Sequence, residues 1–347
     1  MYKRFIRPVL FCLNPEAVHS LVARALKVLF TFPYLRILVK KVLSIRDEQL
    51  SRVVFGIKFP SPVGLAAGFD KNAHLISELD ALGFGFIEVG TVTPLGQAGN
   101  PKPRSFRLPK DQALINRMGF NNLGLDAAVL QLAKRKKGII VGGNIGKNTL
   151  TNNNVAIEDY DIVFQGLYPY IDYFVVNVSC PNISNLQELQ ENDELSALLC
   201  RLTMLRHKQS EYRPILLKIS PDLSLNEATA QVQTAMQYGL DGIVATNTTR
   251  SRNGLTTDVD KIKLIGNGGL SGKPLFEKSL QLVKHITTIT DGKLPIIGVG
   301  GIMSEEDALA MLNAGASLIQ IYTGFIYNGP CFVKKINRAI LKADNNA

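Results

Sequence analysis

Eight short runs of apolar residues, separated by longer stretches with helical spacing, limit the possible folds of this chain more than any other feature. Runs that are apolar almost throughout are typical of parallel strands covered on both faces. Eight such strands alternating with helices over roughly 290 residues fit a closed barrel better than an open sheet. The sequence therefore predicts the α/β class and a (β/α)8 TIM barrel. Its strands are predicted at residues 63–66, 86–89, 139–142, 173–178, 215–219, 242–246, 296–299 and 318–322.

Residues 1–46 are predicted to form an N-terminal α-helical extension, and residues 47–347 the barrel domain. Asn14 is a suitable N-cap, and Pro15 suits the first position of a helix. A second helix is expected after Pro33. Apolar residues of the first of these helices recur at helical spacing. They are Val18, Leu21, Val22, Ala25, Leu26 and Leu29.

The extension also carries most of the positive charge. It holds nine lysines and arginines against one acid, Glu16, and so accounts for +8 of the net charge of +10. Its apolar stretches are shorter than the roughly 20 residues that a spanning helix needs. Asn14–Glu16 interrupts the apolar run too early for a signal peptide. Two interpretations remain: basic amphipathic helices that lie in a membrane interface, or a helical hairpin that caps the barrel.

The cysteines exclude several kinds of site. They are too far apart in the sequence for a CxxC metal site or a disulfide framework. A reducing compartment is therefore expected, without a metal site or an iron–sulfur cluster. The four cysteines are Cys12, Cys180, Cys200 and Cys331.

Polar residues lie at the ends of most predicted strands. The active site of a β/α barrel lies at the carboxyl ends of its strands, so these side chains are expected to meet at one mouth. Singly, Asn and Thr could cap the helices that follow. Two lysines, several carboxamides and a thiol together favour a functional site. The candidates are Lys71, Thr91, Asn144, Asn177, Cys180, Asn182, Lys218, Thr246, Asn247 and Thr248.

Glycine-rich segments at the last strands predict a phosphate site. Residues 298–301 follow the seventh strand, and Tyr322, Thr323 and Gly324 end the eighth. Loops at these two places commonly bind phosphate in barrel enzymes, because glycine lets backbone amides approach the anion. Residues 268–272 are interpreted as a third glycine-rich turn. Together the three segments favour a ligand that bears a phosphate.

The segment NVSCPN, residues 177–182, is the strongest chemical signal. Cys180 stands at a strand end between two carboxamides, Asn177 and Asn182. This arrangement suggests a base or nucleophile beside amides that orient a polar substrate. A half-buried structural cysteine is the alternative, and it is the more common role of cysteine outside such a motif.

Together with this motif, other segments of the chain resemble the dihydroorotate dehydrogenases over nearly its whole length. No single matching segment is decisive, but their order and joint presence are highly specific. Besides residues 177–182, the matching segments are GLAAGFDK (64–71), EVGTVTP (88–94), NRMGFNN (116–122), NIGKN (144–148), KISPDL (218–223), TNTT (246–249) and GVGGI (298–302).

The resemblance implies FMN as the cofactor. It also implies a catalytic base at Cys180, with Lys71 stabilising developing charge. The residues implied to contact FMN are Ala67, Gly68, Lys71, Thr91, Asn144, Asn177, Lys218, Thr246, Gly272, Gly301, Tyr322 and Thr323.

Dihydroorotate and orotate are the implied substrate and product. An anionic carboxylate suits Lys71, and a ring with two carbonyls and two N–H groups suits carboxamides, which both donate and accept. A loop is implied to close over the ring. The residues implied to bind the substrate are Lys71, Asn116, Arg117, Met118, Gly119, Phe120, Asn177, Asn182, Asn247 and Thr248.

The electron acceptor is where the resemblance divides. The extension resembles that of the membrane-associated, quinone-reducing class, and His19, Arg107 and Tyr322 match positions of its quinone site. That class normally carries serine as the base, whereas Cys180 is typical of the soluble class that uses fumarate or an NAD-linked partner subunit. We predict a quinone as the electron acceptor and no iron–sulfur partner subunit. We also predict that the protein lies at the cytoplasmic face of the inner membrane, because the anionic surface of that membrane attracts basic helices.

Two further alternatives come from other functional classes. One is an FMN barrel that acts on RNA, similar to a dihydrouridine synthase. Nucleic acid is disfavoured because the positive charge is concentrated on the extension and because no RNA-binding domain is expected after the barrel. The other is a membrane-bound scaffold without catalysis. Site-type residues at six strand ends argue against a scaffold, which has no use for them.

Overall fold

The computed structural model of the protein describes residues 1–179 and 192–345. Eight parallel strands form a closed barrel, as predicted. Each strand pairs with its neighbours along the chain, and the last returns to the first, where Ile319 lies opposite Val63. The strands are β1 (Val63–Leu65), β2 (Phe86–Val92), β3 (Ile140–Ile145), β4 (Tyr173–Asn177), β5 (Ile215–Ile219), β6 (Gly242–Ala245), β7 (Ile296–Val299) and β8 (Leu318–Ile321).

The predicted strand positions are confirmed, with differences at the strand ends. The strand predicted at 139–142 continues to Ile145, and the one predicted at 86–89 continues to Val92. These two residues lie opposite each other, so pairing resumes beyond the apolar runs after a register shift between Val89 and Val92. Thr91 and Asn144 therefore lie inside strands and not in the loops after them.

Three helices precede the barrel. They are α1 (Arg7–Cys12), α2 (Pro15–Phe30) and α3 (Pro33–Leu43), after a π-helical segment at Tyr2–Ile6. The predicted cap is confirmed, because Asn14 Oδ1 accepts the backbone N–H of Glu16 at 2.9 Å. The second predicted helix starts at Pro33, as expected. Within the described ranges, no helix is both long enough and apolar enough to cross a membrane.

The apolar residues of the extension divide between two surfaces. Val18, Phe30 and Leu43 are buried, and α3 packs on the barrel helix at Ile76–Ala81. In contrast, Leu21 is 53% exposed and Leu29 is 48% exposed, although both were predicted on the same apolar face as Val18. The extension therefore packs on the barrel domain and still presents an apolar outer surface.

Aromatic side chains fill the amino-terminal end of the barrel. A hairpin formed by Arg52–Val54 and Ile57–Phe59 places Phe59 there. Its ring centroid lies 5.1 Å from that of Phe86 and 6.3 Å from that of Tyr173. This end is thus packed core, and the carboxyl ends of the strands remain for the site. The surrounding helices are α4 (Ile76–Ala81), α5 (Leu125–Leu132), α6 (Ala156–Leu167), α7 (Asn192–His207), α8 (Leu225–Gln237), α9 (Val259–Ile265), α10 (Phe276–Ile289), α11 (Glu305–Asn313), α12 (Thr323–Asn328) and α13 (Phe332–Asp344).

A three-stranded antiparallel sheet lies beside the barrel. Ala113–Asn116 is its central strand, between Ser105–Leu108 and Gly269–Gly272. The prediction of a turn at residues 268–272 is therefore wrong. Glycine is required here because the chain packs closely against the neighbouring strand: a Cβ at Gly268 would lie 2.7 Å from the carbonyl oxygen of Asn116. A smaller antiparallel pair joins Leu95–Gln97 to Asn122–Gly124.

Candidate active site

Side chains from β2, β3 and β4 form a hydrogen-bonded group at the carboxyl end of the barrel. Asn177 Nδ2 donates to Asn144 Oδ1 and to Thr91 Oγ1, each at 3.1 Å. The Thr91 hydroxyl donates to Asn144 Oδ1. All three residues are buried. The structure thus brings together three predicted site residues and holds each by hydrogen bonds to the others.

The group continues to the segment after β6. Asn247 Nδ2 donates to Asn177 Oδ1 at 3.2 Å and to Ser179 Oγ at 3.1 Å. Asn247 Oδ1 accepts the backbone N–H of Thr248 at 2.8 Å. Asn247 and Thr248 are only partly buried. They therefore form the end of the group that a ligand can reach.

Glu88 of β2 lies beneath this group and was not among the predicted site residues. Its fully buried side chain accepts hydrogen bonds from Asn144 Nδ2 at 2.8 Å and from Gln320 Nε2 at 2.6 Å. Lys218 Nζ lies 3.7 Å from Glu88 Oε1. A buried charge is costly without a partner. One acid and one lysine, each within an otherwise apolar strand, were the signal that could have revealed this pair.

Lys71 lies in the segment that follows β1, which Asp70 holds in place. The Asp70 carboxylate accepts the backbone N–H groups of His74 at 2.8 Å and Leu75 at 2.7 Å. Burial lowers the pKa of Lys71 to about 8, against an opposing effect of the Glu16 carboxylate. Within the described ranges, the Lys71 ammonium forms no hydrogen bond or salt bridge with any residue, Glu16 included. Lys71 keeps part of its surface exposed, so its three N–H donors suit an acceptor from a ligand.

The backbone segments after β7 and β8, for which a phosphate site was predicted, are closely packed. Gly301 has a φ of 77°, and a Cβ there would lie 2.4 Å from the backbone nitrogen of Phe276. Thr323 begins α12, and its Oγ1 lies 2.8 Å from Ser271 Oγ. Only glycine fits such close packing at this backbone angle. The segments after β7 and β8 and strand 269–272 therefore lie close together.

The other predicted cofactor residues lie at the same end of the barrel. The Tyr322 hydroxyl donates to the carbonyl of Gly68 at 3.4 Å, and Ala67 precedes this glycine. Burial raises the pKa of Tyr322 to about 12, so its phenol stays protonated at neutral pH. Thr246 Oγ1 lies 2.9 Å from Ser279 Oγ.

The loop after the central strand Ala113–Asn116 lies over one side of the site. Gly119 and Phe120 have φ values of 69° and 50°, so the chain turns sharply there. Gln97 Nε2 donates to both of their carbonyls, at 3.2 and 3.1 Å. The Phe120 ring packs on Gly146, where a Cβ would lie 2.9 Å from it. Asn116 Nδ2 donates to a backbone carbonyl of the paired strand at 3.4 Å.

Arg117 and Met118 hold the loop in place. The Arg117 guanidinium donates to the carbonyl of Pro103 at 3.0 Å and to that of Ile265. The Met118 carbonyl accepts the backbone N–H of Asn100 at 3.1 Å. Of the residues predicted to bind substrate, Arg117 thus uses its side chain to hold the loop.

The extension reaches the site through His19. Its ring centroid lies 4.9 Å from that of Phe69, which in turn lies 5.6 Å from that of Tyr322. Burial and the Lys71 cation lower the pKa of His19 to about 4. At neutral pH His19 is therefore an uncharged imidazole. Two of the predicted quinone residues pack against the same phenyl ring.

Arg107, the third predicted quinone residue, belongs to the same contact between barrel and extension. Its guanidinium donates to the carbonyl of Leu13 at 2.5 Å and lies 4.6 Å from the ring centroid of Phe11. Phe11 packs edge-on against Tyr327, with 5.1 Å between the centroids. Arg107 therefore fixes the chain between α1 and α2 against the barrel.

Two predicted site residues, Cys180 and Asn182, lie outside the described residues. Ser179 is the last described residue of their segment, and its hydroxyl is bonded to Asn247. In the part of the chain that the structure describes, no group of three or more His, Cys, Asp or Glu side chains could hold a metal ion.

The fold and the site define a class of protein: a β/α-barrel enzyme whose site lies at the carboxyl ends of the strands and is lined by carboxamides, hydroxyls and two lysines. The family model for dihydroorotate dehydrogenase matches residues 49–343. The chain belongs to the dihydroorotate dehydrogenase family, whose members are flavoproteins.

Relatives and solved structures agree with this assignment. A protein of Christiangramia forsetii named dihydroorotate dehydrogenase (quinone) is 49% identical, over 99% of both chains. One of Coxiella burnetii with the same name is also 49% identical, over 97% of this chain and 96% of its own. A crystal structure of DHODH from Eimeria tenella in complex with ferulenol superposes with a TM-score of 0.83 at 35% identity, covering 96% of this chain and 92% of that one.

Proposed function

We propose that the protein oxidises dihydroorotate to orotate in de novo pyrimidine biosynthesis, with FMN as cofactor and a quinone as the final electron acceptor. The observation that carries this proposal is the near full-length match, at 49% identity, to relatives named dihydroorotate dehydrogenase (quinone). The alternatives, fumarate or NAD as acceptor and an RNA substrate, have no comparable support.

The described site fits FMN. The Lys71 ammonium, the carboxamides of Asn144 and Asn177, and the close-packed glycine segments offer polar groups to a polar ring system and its phosphate. Asn144 and Asn177 also lie on rigid strands, which is what a tightly held cofactor requires. We assign FMN contacts to Ala67, Gly68, Lys71, Thr91, Asn144, Asn177, Lys218, Thr246, Gly272, Gly301, Tyr322 and Thr323.

A glycine variant tests the phosphate end of this assignment. A Cβ at Gly272, where φ is 98°, would lie 2.3 Å from the carbonyl oxygen of Gln112. Gly272→Ala must shift the backbone, so we expect purified protein to lose most of its bound FMN, measured by absorbance. Gly254→Ala is the matched control, since its φ is 76° and nothing lies within 4 Å of its Cβ. Equal FMN content in the two variants would contradict the assignment.

The substrate is proposed to lie against the exposed end of the carboxamide group. Lys71 suits its carboxylate, while Asn247 and Thr248 offer donors and acceptors to its ring. The loop at residues 116–120 covers it from one side. We assign substrate contacts to Lys71, Asn116, Arg117, Met118, Gly119, Phe120, Asn177, Asn182, Asn247 and Thr248.

Oxidation removes a proton from one ring carbon of dihydroorotate and a hydride from the adjacent carbon. We assign proton removal to Cys180, because a thiol has an unperturbed pKa near 8.5 and forms a base more readily than a hydroxyl. FMN, when bound, accepts the hydride. The Lys71 cation stabilises negative charge that develops on the ring as the proton leaves.

The first half of the reaction can be tested alone. Mixing the purified, FMN-loaded protein with dihydroorotate without oxygen should bleach the visible flavin absorbance and form one orotate for each FMN. Dithionite serves as the control for flavin that can be reduced. Protein that dithionite bleaches and dihydroorotate does not would overturn the proposed substrate.

The quinone is proposed to bind between the extension and the barrel. Residues 1–46 would form this part of the enzyme, and residues 47–347 the FMN-binding barrel domain. His19 and Tyr322 share contacts with Phe69, and Arg107 lies on Phe11 of the extension. An uncharged His19 suits an apolar quinone ring, because it adds no buried charge beside it.

The outer surface of the extension is proposed to dock on an anionic membrane. Leu21 and Val28 of α2 are 53% and 64% exposed, and Ile37 and Val42 of α3 are 60% and 52% exposed. Apolar side chains among basic residues are the pattern of helices that lie in a membrane interface. The cytoplasmic face of the inner membrane is the proposed location, because its anionic lipids attract the positive charge.

Two exposed residues test the docking. Leu21 and Val28 lie seven positions apart, on the same side of α2. The double variant Leu21→Gln/Val28→Gln removes two apolar side chains from the proposed membrane interface. Its binding to phosphatidylglycerol vesicles, measured by co-sedimentation, should be weaker on the order of tenfold or more. Leu225→Gln, an equally exposed site on α8, is the control. Undiminished binding of the double variant would place the membrane contact elsewhere.

A further inference from the structure

We propose that Glu88 is a positioning residue: its buried carboxylate sets which end of the Asn144, Asn177 and Asn247 carboxamides donates and which accepts. Through this relay it fixes the hydrogen-bonding pattern that the site presents to the substrate ring. The inference rests on the proposed function for the identity of the substrate.

The relay begins with a carboxylate surrounded by donors. Glu88 is 0% exposed, and its oxygens face Asn144 Nδ2, Gln320 Nε2 and Lys218 Nζ. An ionised carboxylate can only accept hydrogen bonds, and an ammonium can only donate them. A protonated Glu88 would turn its own hydrogen towards a donor. With the Lys218 ammonium beside it, the Glu88 carboxylate acts as an acceptor, and an acceptor there requires nitrogen at the near end of Asn144.

The second step passes this orientation to Asn177. With its nitrogen held by Glu88, Asn144 presents Oδ1 at its other end, where it accepts from Asn177 Nδ2 and from the Thr91 hydroxyl. The two ends of a carboxamide have nearly the same shape, so its direction is set by its partners and not by packing. Asn177 consequently has its nitrogen towards Asn144 and its oxygen towards the mouth.

The third step reaches the substrate end. Asn177 Oδ1 accepts from Asn247 Nδ2 at 3.2 Å, and the same nitrogen donates to Ser179. Asn247 Oδ1 accepts the backbone N–H and, at 3.5 Å, the hydroxyl of Thr248. Asn247 and Thr248 are partly exposed, whereas Glu88, Asn144 and Asn177 are buried. An orientation fixed in the barrel interior is thus displayed at the mouth.

Two substitutions at Glu88 separate orientation from charge. Glu88→Gln removes the charge but keeps an oxygen for Asn144, and its new N–H can face Gln320, whose buried Oε1 has no partner within the described ranges. Glu88→Met has a similar length and offers no acceptor. Both variants remove the counter-charge of Lys218, so a difference between them reports the acceptor alone.

The predicted difference appears in binding. In Glu88→Met the KM for dihydroorotate and the dissociation constant of orotate should rise about tenfold, which corresponds to about 1.4 kcal/mol, with kcat changed less. In Glu88→Gln both should change less than about threefold. Orotate binding is read from the flavin absorbance without turnover, and FMN content is measured for each variant. Equal effects of the two substitutions, or unchanged binding in Glu88→Met, would overturn the relay.

A neutron structure of the unmodified FMN-loaded protein with orotate tests the relay even if Glu88→Met does not fold. Deuterium should lie on the Asn144 atom that faces Glu88 and on the Asn177 atom that faces Asn144, and none on the carboxylate. Deuterium on the carboxylate, or an Asn144 oxygen facing it, would refute the relay. Absence of dihydroorotate oxidation by the unmodified protein would instead refute the proposed function and leave this result standing.

Discussion

Lys71→Met should lower kcat/KM for dihydroorotate on the order of 100-fold or more, the largest loss expected for a described residue. The partly buried ammonium has no hydrogen bond or salt bridge to another described residue, so it is available to an anionic ligand. Truncating one member of a desolvated charge pair costs about 2–5 kcal/mol or more. Stopped-flow measurement of flavin reduction by dihydroorotate gives the effect on the first half-reaction, the oxidation of dihydroorotate, directly.

The pKa of Lys71 gives the same prediction a pH signature. Because burial lowers that pKa to about 8, the fraction of ammonium falls as the pH rises through 8. The dissociation constant of orotate should therefore increase above pH 8 in the unmodified protein and show no such rise in Lys71→Met. Lys134→Met, which changes an exposed lysine, is the control for loss of charge. Less than a fivefold change in kcat/KM for Lys71→Met would remove Lys71 from the site.

Cys180→Ala should lower kcat on the order of 10²–10⁴-fold, the usual contribution of a positioned general base. Cys180→Ser should retain part of the activity with its optimum displaced to higher pH, since a hydroxyl ionises far less readily than a thiol. Both variants are compared by the pH dependence of flavin reduction. Cys200→Ala, which changes a half-buried cysteine of α7, controls for loss of a thiol.

Either of two results would contradict the role of Cys180. Full activity of Cys180→Ala would assign proton removal to another group. An unchanged pH profile in Cys180→Ser would show that thiol ionisation does not set the activity, even if Cys180 contacts the substrate.

The sequence predicted the barrel because its signal is local and repeated. Every strand contains a short apolar run, and seven of the eight strand pairings join neighbours along the chain, so that only the pairing of β8 with β1 is long-range. The site followed from the same rule, since carboxyl ends of parallel strands meet at one edge. Thr91, Asn144, Asn177 and Asn247 indeed bond to one another.

Features that depend on distant partners could not be predicted in this way. Residues 268–272 have the composition of a turn, but they pair with Ala113–Asn116 from far earlier in the chain. Glu88 is one acid within an apolar strand, and its partners Asn144, Lys218 and Gln320 come from three other strands. The helical pattern of α2 also could not show which apolar residues would meet the barrel.

The contact between the extension and the loop at residues 116–120 is another long-range feature. Glu16 at the start of α2 lies 3.0 Å from Arg104, whose guanidinium donates to the carbonyl of Asn100 at 2.9 Å. Asn100 in turn donates its backbone N–H to Met118 and its side-chain N–H to the carbonyl of Arg117. Removing the extension is therefore expected to disturb substrate binding as well as quinone access, so a truncated protein needs both half-reactions measured.

The proposed electron acceptor is tested by steady-state oxidation of dihydroorotate with the FMN-loaded protein of residues 1–347. A short-chain quinone, fumarate and NAD are offered as separate acceptors. We expect rapid turnover with the quinone and none with fumarate or NAD, even though Cys180 stands at the position of the base. Turnover with fumarate or NAD and indifference to the quinone would contradict it, and would make the N-terminal helices a cap or an anchor.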